Sequence, residues 1–359
     1  MGKYRTAELL AAKSITTAGT ETLEIKTRDV ISRLSIIVRL TNSSYVPTQH
    51  PARAITTITL QDGSNVLHSM RGIYSQSLAH YGTGKTPHNY LGYIDNGKAT
   101  SVIPIYFGRR LWDEELALAP DRFNNLILNI AHNYLAGGAV PDAATLEVWA
   151  DLFDEKPVNP VGFLKGSTHW SKTLVASTID YVDLPTDLPI RLVMPAVSSS
   201  SEEPDINIAS VKITEDGDKK ILTDISGAHQ IRLHESQYPA FEEMMEARAF
   251  TTAEEYYVTP AKNVLFIPMS SADNDAYWNS LWSGGQQRQI VASANGINFN
   301  ALVTGRCPHG VIPFPMGVQD DMSDWWEVSS GGSRRIRMTT GAGDTSALYE
   351  LLIQELMRY

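Results

Sequence analysis

A chain of 359 residues with 43% hydrophobic and 19% charged residues holds enough apolar sequence for about two cores. The 25 glycines and 18 prolines exclude collagen-like and low-complexity classes, and no apolar run reaches the length of a membrane-spanning helix. The single cysteine, Cys307, excludes an intrachain disulfide and every multi-cysteine zinc site. The net charge is -10. Up to Lys156 there are 15 basic and 15 acidic residues, whereas the remainder holds 15 and 25, so the second half carries the acidic excess. No basic face or tail marks a nucleic-acid binder, and no specific nucleic-acid binding is expected.

Met1-Gly2-Lys3-Tyr4-Arg5-Thr6 fits a short myristoylation pattern of the kind that chance often produces. The apolar stretch Leu9-Leu10-Ala11-Ala12 is too short for a signal peptide. Thr6 is placed to cap a short amphipathic helix through Lys13, so residues 1–18 read as an N-terminal arm.

Beyond residue 18, period-two alternation in short runs dominates the chain, as expected of half-buried strands. Leu34, Ile36, Val38 and Leu40 share one face; so do Leu126, Leu128 and Ile130, and Leu146, Val148, Ala150 and Leu152. Leu188, Ile190, Leu192 and Met194 repeat the pattern. Val264–Met269 is apolar throughout and predicts a strand buried on both faces. Asp62-Gly63, Asp95-Asn96-Gly97 and Asp216-Gly217 mark turns. Arg109–Leu118 and Ser236–Arg248 read as helices, and Ala347–Met357 fits either a helix or a strand. The expected class is all-β: two tandem eight-stranded jelly-roll β-sandwiches with a few short helices in loops.

Tandem duplication is suggested by echoes in the same order in both halves. Ile58–Leu67 recurs as Lys212–Leu222, and Ile103-Pro-Ile-Tyr106 has a counterpart in Phe266-Ile-Pro-Met269. Leu126–Ile130, Gly137-Gly-Ala139, Asp142 and the strand from Ala144 are echoed by Arg335–Thr339, Gly341-Ala-Gly343, Asp344 and the run from Ser346. The last echo tilts the C-terminal run toward strand. Two prolines and a glycine in Asp154–Gly162 mark a linker. The expected division is an arm at 1–18, a first jelly roll at 19–155, a linker at 156–165 and a second jelly roll with larger insertions at 166–359. Ser198–Asp205 reads as an exposed loop within the second unit.

Candidate chemistry is sparse. Ala79-His-Tyr-Gly-Thr-Gly-Lys-Thr86 satisfies a relaxed phosphate-loop pattern, but Pro87 follows and no buried strand leads into it. The nine histidines show neither His-x-His nor His-Glu-x-x-His spacing. Cys307-Pro-His309 could pair a thiol with an imidazole, yet its setting reads as a turn. Trp325-Trp326 could stack on a sugar, although adjacent strand residues point to opposite faces and one should be core. Asp113-Glu114-Glu115 and Asp320-Asp321 read as solvated faces. No catalytic, cofactor-binding or metal-ligating residue is assigned.

Taken together, the two units resemble the double jelly-roll major capsid proteins of icosahedral viruses, many of which enclose an internal membrane. Gly19–Arg39 looks like the entry into the first jelly roll of that family. Val102-Ile-Pro-Ile-Tyr-Phe-Gly-Arg109 and Ala119–Leu128 are similar to its mid-sandwich strands, and the second-unit echoes complete the pattern. The resemblance covers about residues 19–359. It implies a non-enzymatic structural protein of the virion, a homotrimer that tiles as a pseudo-hexagon and makes trimer–trimer lattice contacts. It further implies minor capsid or vertex proteins as partners and an N-terminal arm that reaches a neighbour or a membrane. The alternatives are a carbohydrate-binding sandwich, as in a spike or lectin, and a barrel-type metal enzyme.

Overall fold

The computed structural model describes residues 3–43, 49–137, 141–271, 278–292, 295–328 and 332–359. The first sandwich contains β1 (Tyr4–Ser14), β2 (Gly19–Glu24), β3 (Ile31–Asn42), β4 (Ile55–Asp62) and β5 (Asn65–Met70). It continues with α1 (Gly72–Thr83), β6 (Asn89–Tyr93), β7 (Lys98–Tyr106), β8 (Leu126–His132) and β9 (Pro141–Phe153). The second begins with β10 (Gly162–Thr173), β11 (Ile179–Leu184), β12 (Ile190–Val197), α2 (Pro204–Asn207), β13 (Ile208–Glu215), β14 (Lys220–Ser226) and α3 (Gly227–His234). An inserted block comes next: β15 (Phe241–Ala249), β16 (Glu254–Tyr257), β17 (Pro260–Ser271), β18 (Trp278–Gly284), β19 (Gln287–Ala292) and β20 (Ile297–Pro308). The sandwich then closes with β21 (Phe314–Pro315), β22 (Arg334–Thr340) and β23 (Leu348–Arg358).

The duplication is explicit in the strand pairing. In the first unit the sheets run β1-β9-β3-β7 and β2-β8-β4-β5; in the second they run β10-β23-β12-β21 and β11-β22-β13-β14. Every pairing within these orders is antiparallel and recurs between units. The echo of Ile58–Leu67 in Lys212–Leu222 is the β4–β5 hairpin repeated as β13–β14. The run from Ala347 is strand β23, the counterpart of β9. Of the matching first-unit glycine segment, Gly138 and Ala139 lie outside the described residues.

Alternation builds the two cores. Leu34, Ile36, Val38 and Leu40 of β3, with Leu146 and Val148 of β9 beside them, face Leu128 and Ile130 of β8 in the first core. Ile190 and Val193, with Ile213, Ile336, Leu351 and Ile353, build the second. β12 is buried on both faces, because Leu192 and Met194 on its other side pack against Ile73, Tyr74 and Leu78 of α1. Truncating such a side chain, as in Leu352→Ala, costs about 2–5 kcal/mol.

Several expectations are overturned. The segment 1–18 is not an arm: Tyr4–Ser14 is strand β1, paired along β9. Its consecutive leucines imitate a helical face, but a bulge between Glu8 and Leu10 lets both Leu9 and Leu10 pack on the first core. The linker ends earlier than residue 165, since Gly162–Lys165 already pair with β23. Arg109–Leu118 is not a helix. The Asp113 carboxylate accepts the backbone N–H groups of Arg109, Glu115 and Leu116, which offers the chain a competing turn, and Trp112 has a φ of 65°. Ser236–Arg248 is mostly β15, whose buried residues Phe241, Glu243, Met245, Ala247 and Ala249 follow period two.

Val264–Met269 lies in β17, at the end of its sheet, and Leu265 and Ile267 are exposed, so it is not buried on both faces. Nor does it match Ile103-Pro-Ile-Tyr106. The counterpart of β7 is the segment around β21, where Phe314 pairs with Val193 and Val311 bridges to Ala196. The shared Val-Ile-Pro at Val102 and at Val311 is the signal that locates it. Ser198–Asp205 is tied down instead of exposed. Ser199 bonds Asp344, while Lys262 pairs with Glu203 and, at 2.9 Å, with Asp205.

Candidate assembly interface

Each large sheet crosses from the first sandwich into the second unit, one through β10 of the second sandwich and the other through β15 of the inserted block. β5, the last strand of one first-unit sheet, meets β10 in parallel at Ser69 and Ser167. In the other sheet β6 meets β15 in parallel from Tyr90–Met244 to Tyr93–Ala247. The rear edge of the first sandwich is therefore closed by the leading strand β10 of the second in one sheet and by the inserted strand β15 in the other, with α1 buried between the sandwiches.

A buried polar network crosses this junction. Glu243 on β15 accepts the backbone N–H of Thr259 at 2.7 Å, its hydroxyl at 2.6 Å and the Asn89 side-chain amide at 3.3 Å. His50 Nε2 lies 3.0 Å from the Thr259 hydroxyl and 3.6 Å from the Glu243 carboxylate, while its Nδ1 accepts from Ala52. The Thr259 hydroxyl spends its proton on Glu243, so His50 carries its proton on Nε2. His309 is similarly committed. Gln286 donates to its Nδ1 at 3.1 Å, and its Nε2 donates to Gln76 Oε1 at 2.9 Å. Gln76 also donates to Asn89 and to the Val102 carbonyl. Burial holds the His309 imidazole well below its ordinary pKa, and His50 and Arg53 add to the effect. A network this completely partnered locks one relative arrangement of the two sandwiches.

The outer ends of the molecule are open. β1 and β2 form one end; β21 and β14 form the other end of the second sandwich. β1 is exposed over most of its length. At the opposite end a groove of about 430 Å³ opens between β14 and the segments around Phe314 and Trp326, lined by Leu222, Phe314, Met316, Trp325 and Trp326. Ile221, Leu233 and Val318 stand exposed nearby in the same region of the chain, at 54%, 58% and 59%.

The remaining candidates take structural places. In Ala79–Thr86 the glycines end α1 instead of opening a helix: Gly84, at a φ of 68°, is its left-handed cap and donates to the His80 carbonyl. The helix end there presents carbonyls, the wrong polarity for a phosphate cradle. Cys307 and His309 lie in a turn with φ near 53° and 52°; both are buried, and burial pushes the thiol up. Trp325 and Trp326 are both buried, their indole N–H groups donating to the Val318 carbonyl and to Glu215. Asp113 is no solvated acid: it forms an ion pair with Arg109, which also holds Glu115. Among the described residues no three His, Cys, Asp or Glu side chains gather as a metal site.

No protein-family profile matches the sequence, and no curated protein matches it. Solved structures do. The MCP of STIV, the Sulfolobus turreted icosahedral virus, superposes with a TM-score of 0.58 at 10% identity, covering 98% of this chain and 96% of its own. The major capsid protein P2 of bacteriophage PM2 gives 0.56 at 9% identity, with 99% and 98% covered. VP54 of PBCV-1, fitted into a reconstruction of the virophage Sputnik, gives 0.57 at 8% identity, with 98% and 93% covered. Over nearly its whole length, this chain has the double jelly-roll fold of those capsid structures.

Proposed function

We propose that the chain is a major capsid protein, a structural block of a virion shell that acts by self-association. The carrying observation is that likeness to capsid proteins spans 98–99% of the chain, both sandwiches and their junction included. At such low identity the likeness is one of fold, and the function is inferred from what this fold can do mechanically. The junction closes the edges at which the two sandwiches meet and makes the pair one rigid wedge.

The mode of association follows from the duplication. Inside one chain, the β5 edge of the first sandwich receives the β10 edge of the second. The second sandwich ends its sheets at β14 and β21 and the first at β1 and β2, and among the described residues no further strand pairs with any of these four. A second copy can therefore repeat between chains the β5–β10 part of the junction already made within one, as β14 against β1. That contact is heterologous, and it closes as a ring when the turn per junction divides the circle. Three copies give six sandwiches around a ring, and weak contacts between rings then multiply in a closed lattice. We further propose residues 3–153 and 162–359 as the two structural units, joined by 154–161.

Light scattering on the purified protein tests the reading. A species near three times 39.6 kDa is expected, with hexagonal tiles or shells in negative stain. A stable monomer at micromolar concentration that forms neither overturns it.

A further inference from the structure

We propose that the cleft between the C-terminal end of α1 and the segment Pro315–Asp320 is a binding site for a phosphate-type oxyanion. The cleft has a volume of about 540 Å³ and is lined by Arg109, Arg110 and Arg191, with Tyr238 and Gln319 among its other walls. One side belongs to the first sandwich, through Thr83 and Gly84; the other belongs to the second.

Arg191 is the central observation. It lies on β12 and is 2% exposed, yet among the described residues it forms no ion pair. Its Nε donates to the Gln319 carbonyl at 3.1 Å, Nη1 to Gln354 Oε1 at 2.9 Å and Nη2 to the Gly82 carbonyl at 2.9 Å. All three acceptors are neutral, and each terminal nitrogen keeps one further N–H. The Trp325 ring lies 5.6 Å from the guanidinium carbon. The carboxylates of Asp320 and Asp113 act on it only from beyond ion-pair distance, and burial lowers its pKa to about 10.

The other two arginines differ in their freedom. Arg109 is held by Asp113 and Glu115 and by the backbone carbonyl of Asp320, so it frames the site. Arg110 is exposed and forms no ion pair among the described residues. The Asp320 carboxylate also lines the cleft and opposes an anion there. The helix end contributes carbonyls, but that of Gly82 is already taken by Arg191.

Guanidinium forks match tetrahedral oxyanions, which offer several oxygens to donors from different directions. The volume exceeds a bare phosphate, and Tyr238 and Pro315 offer a less polar wall, so the fitting class is a phosphate monoester. Bound there, it would add negative charge beside Arg191 and Arg110 and clamp the two sandwiches together.

The test is calorimetric titration of the full chain with inorganic phosphate and with glycerol 3-phosphate at constant ionic strength. Saturable binding is expected. Arg110→Ala should weaken it about tenfold, the worth of one lost charged contact. Asp320→Asn should tighten it severalfold, while melting of unliganded Arg110→Ala stays at the parent value and that of unliganded Asp320→Asn falls slightly, because Asp320 also favours the buried Arg191 charge. Absence of saturable binding below about 10 mM overturns the proposal. So does binding that neither substitution changes. Neither result depends on whether the protein forms shells.

Discussion

His309 and Gln76 are 233 residues apart in sequence, yet His309 Nε2 donates to Gln76 Oε1 across 2.9 Å in the buried junction between the sandwiches. Gln76 lies on α1, whose exposure is almost nil, and His309 lies in the turn after β20. The bond records how the second unit was fitted against the first: both partners are polar, and neither reaches water.

Removing Gln76 should therefore be severe. Gln76→Leu leaves the His309 N–H, the Asn89 carbonyl oxygen and the Val102 carbonyl short of a partner. Each orphaned buried group costs about 1–3 kcal/mol. Urea unfolding should lose at least the low end of that sum. Hydrogen exchange should quicken first at β6 and β15, where the sandwiches join.

Acid should loosen the molecule in a defined window. Burial lowers the pKa values of His68 and His80 from 6.5 to about 4, and holds that of His309 well below its ordinary value. Below pH 6.5 the unfolded chain takes up protons that these folded imidazoles refuse. Stability present above pH 6.5 is then lost as pH falls toward 4, by about 3 kcal/mol for each of His68 and His80. Glu355, whose pKa burial raises, works in the opposite sense and offsets part of the loss. Melting temperature against pH should fall across this interval, and His68→Leu should flatten the fall. A flat profile from pH 6.5 to 4 contradicts the assignment.

The open groove should govern association without governing folding. Ile221 and Leu222 are exposed at 54% and 37% beside it. Ile221→Glu with Leu222→Glu should convert the proposed trimer to monomer in light scattering. Melting of the monomer should stay within about 0.5 kcal/mol of the parent, as usual for surface substitutions. Loss of folding would instead assign these residues to the core.

Deleting residues 1–14 distinguishes a strand from an arm. The deletion removes β1 and the cover that Ala7, Leu9 and Leu10 give the first core. The truncated chain should melt lower than the parent and aggregate through the bared edge of β9. An unchanged melting temperature would mean that β1 contributes nothing to the sandwich.

Strand content and duplication were legible in the sequence because they are local properties. The alternation of Leu34, Ile36, Val38 and Leu40 has one periodicity whatever surrounds it, and the Asp-Gly turns at Asp62 and Asp216 punctuate matching hairpins. Tertiary context decided the rest. Leu9-Leu10 and Phe241–Met245 suit a helix or a strand equally, and only pairing with β9 and β20 selects the strand. Helix α1 has little amphipathic signature, because two sandwiches bury it from opposite sides and no polar face is needed. The junction network, the arginine cleft and the open edge draw together distant parts of the chain, 233 residues apart in the His309–Gln76 bond. Chain periodicity determines which face of a strand is apolar; only the folded arrangement determines what that face, or that edge, meets.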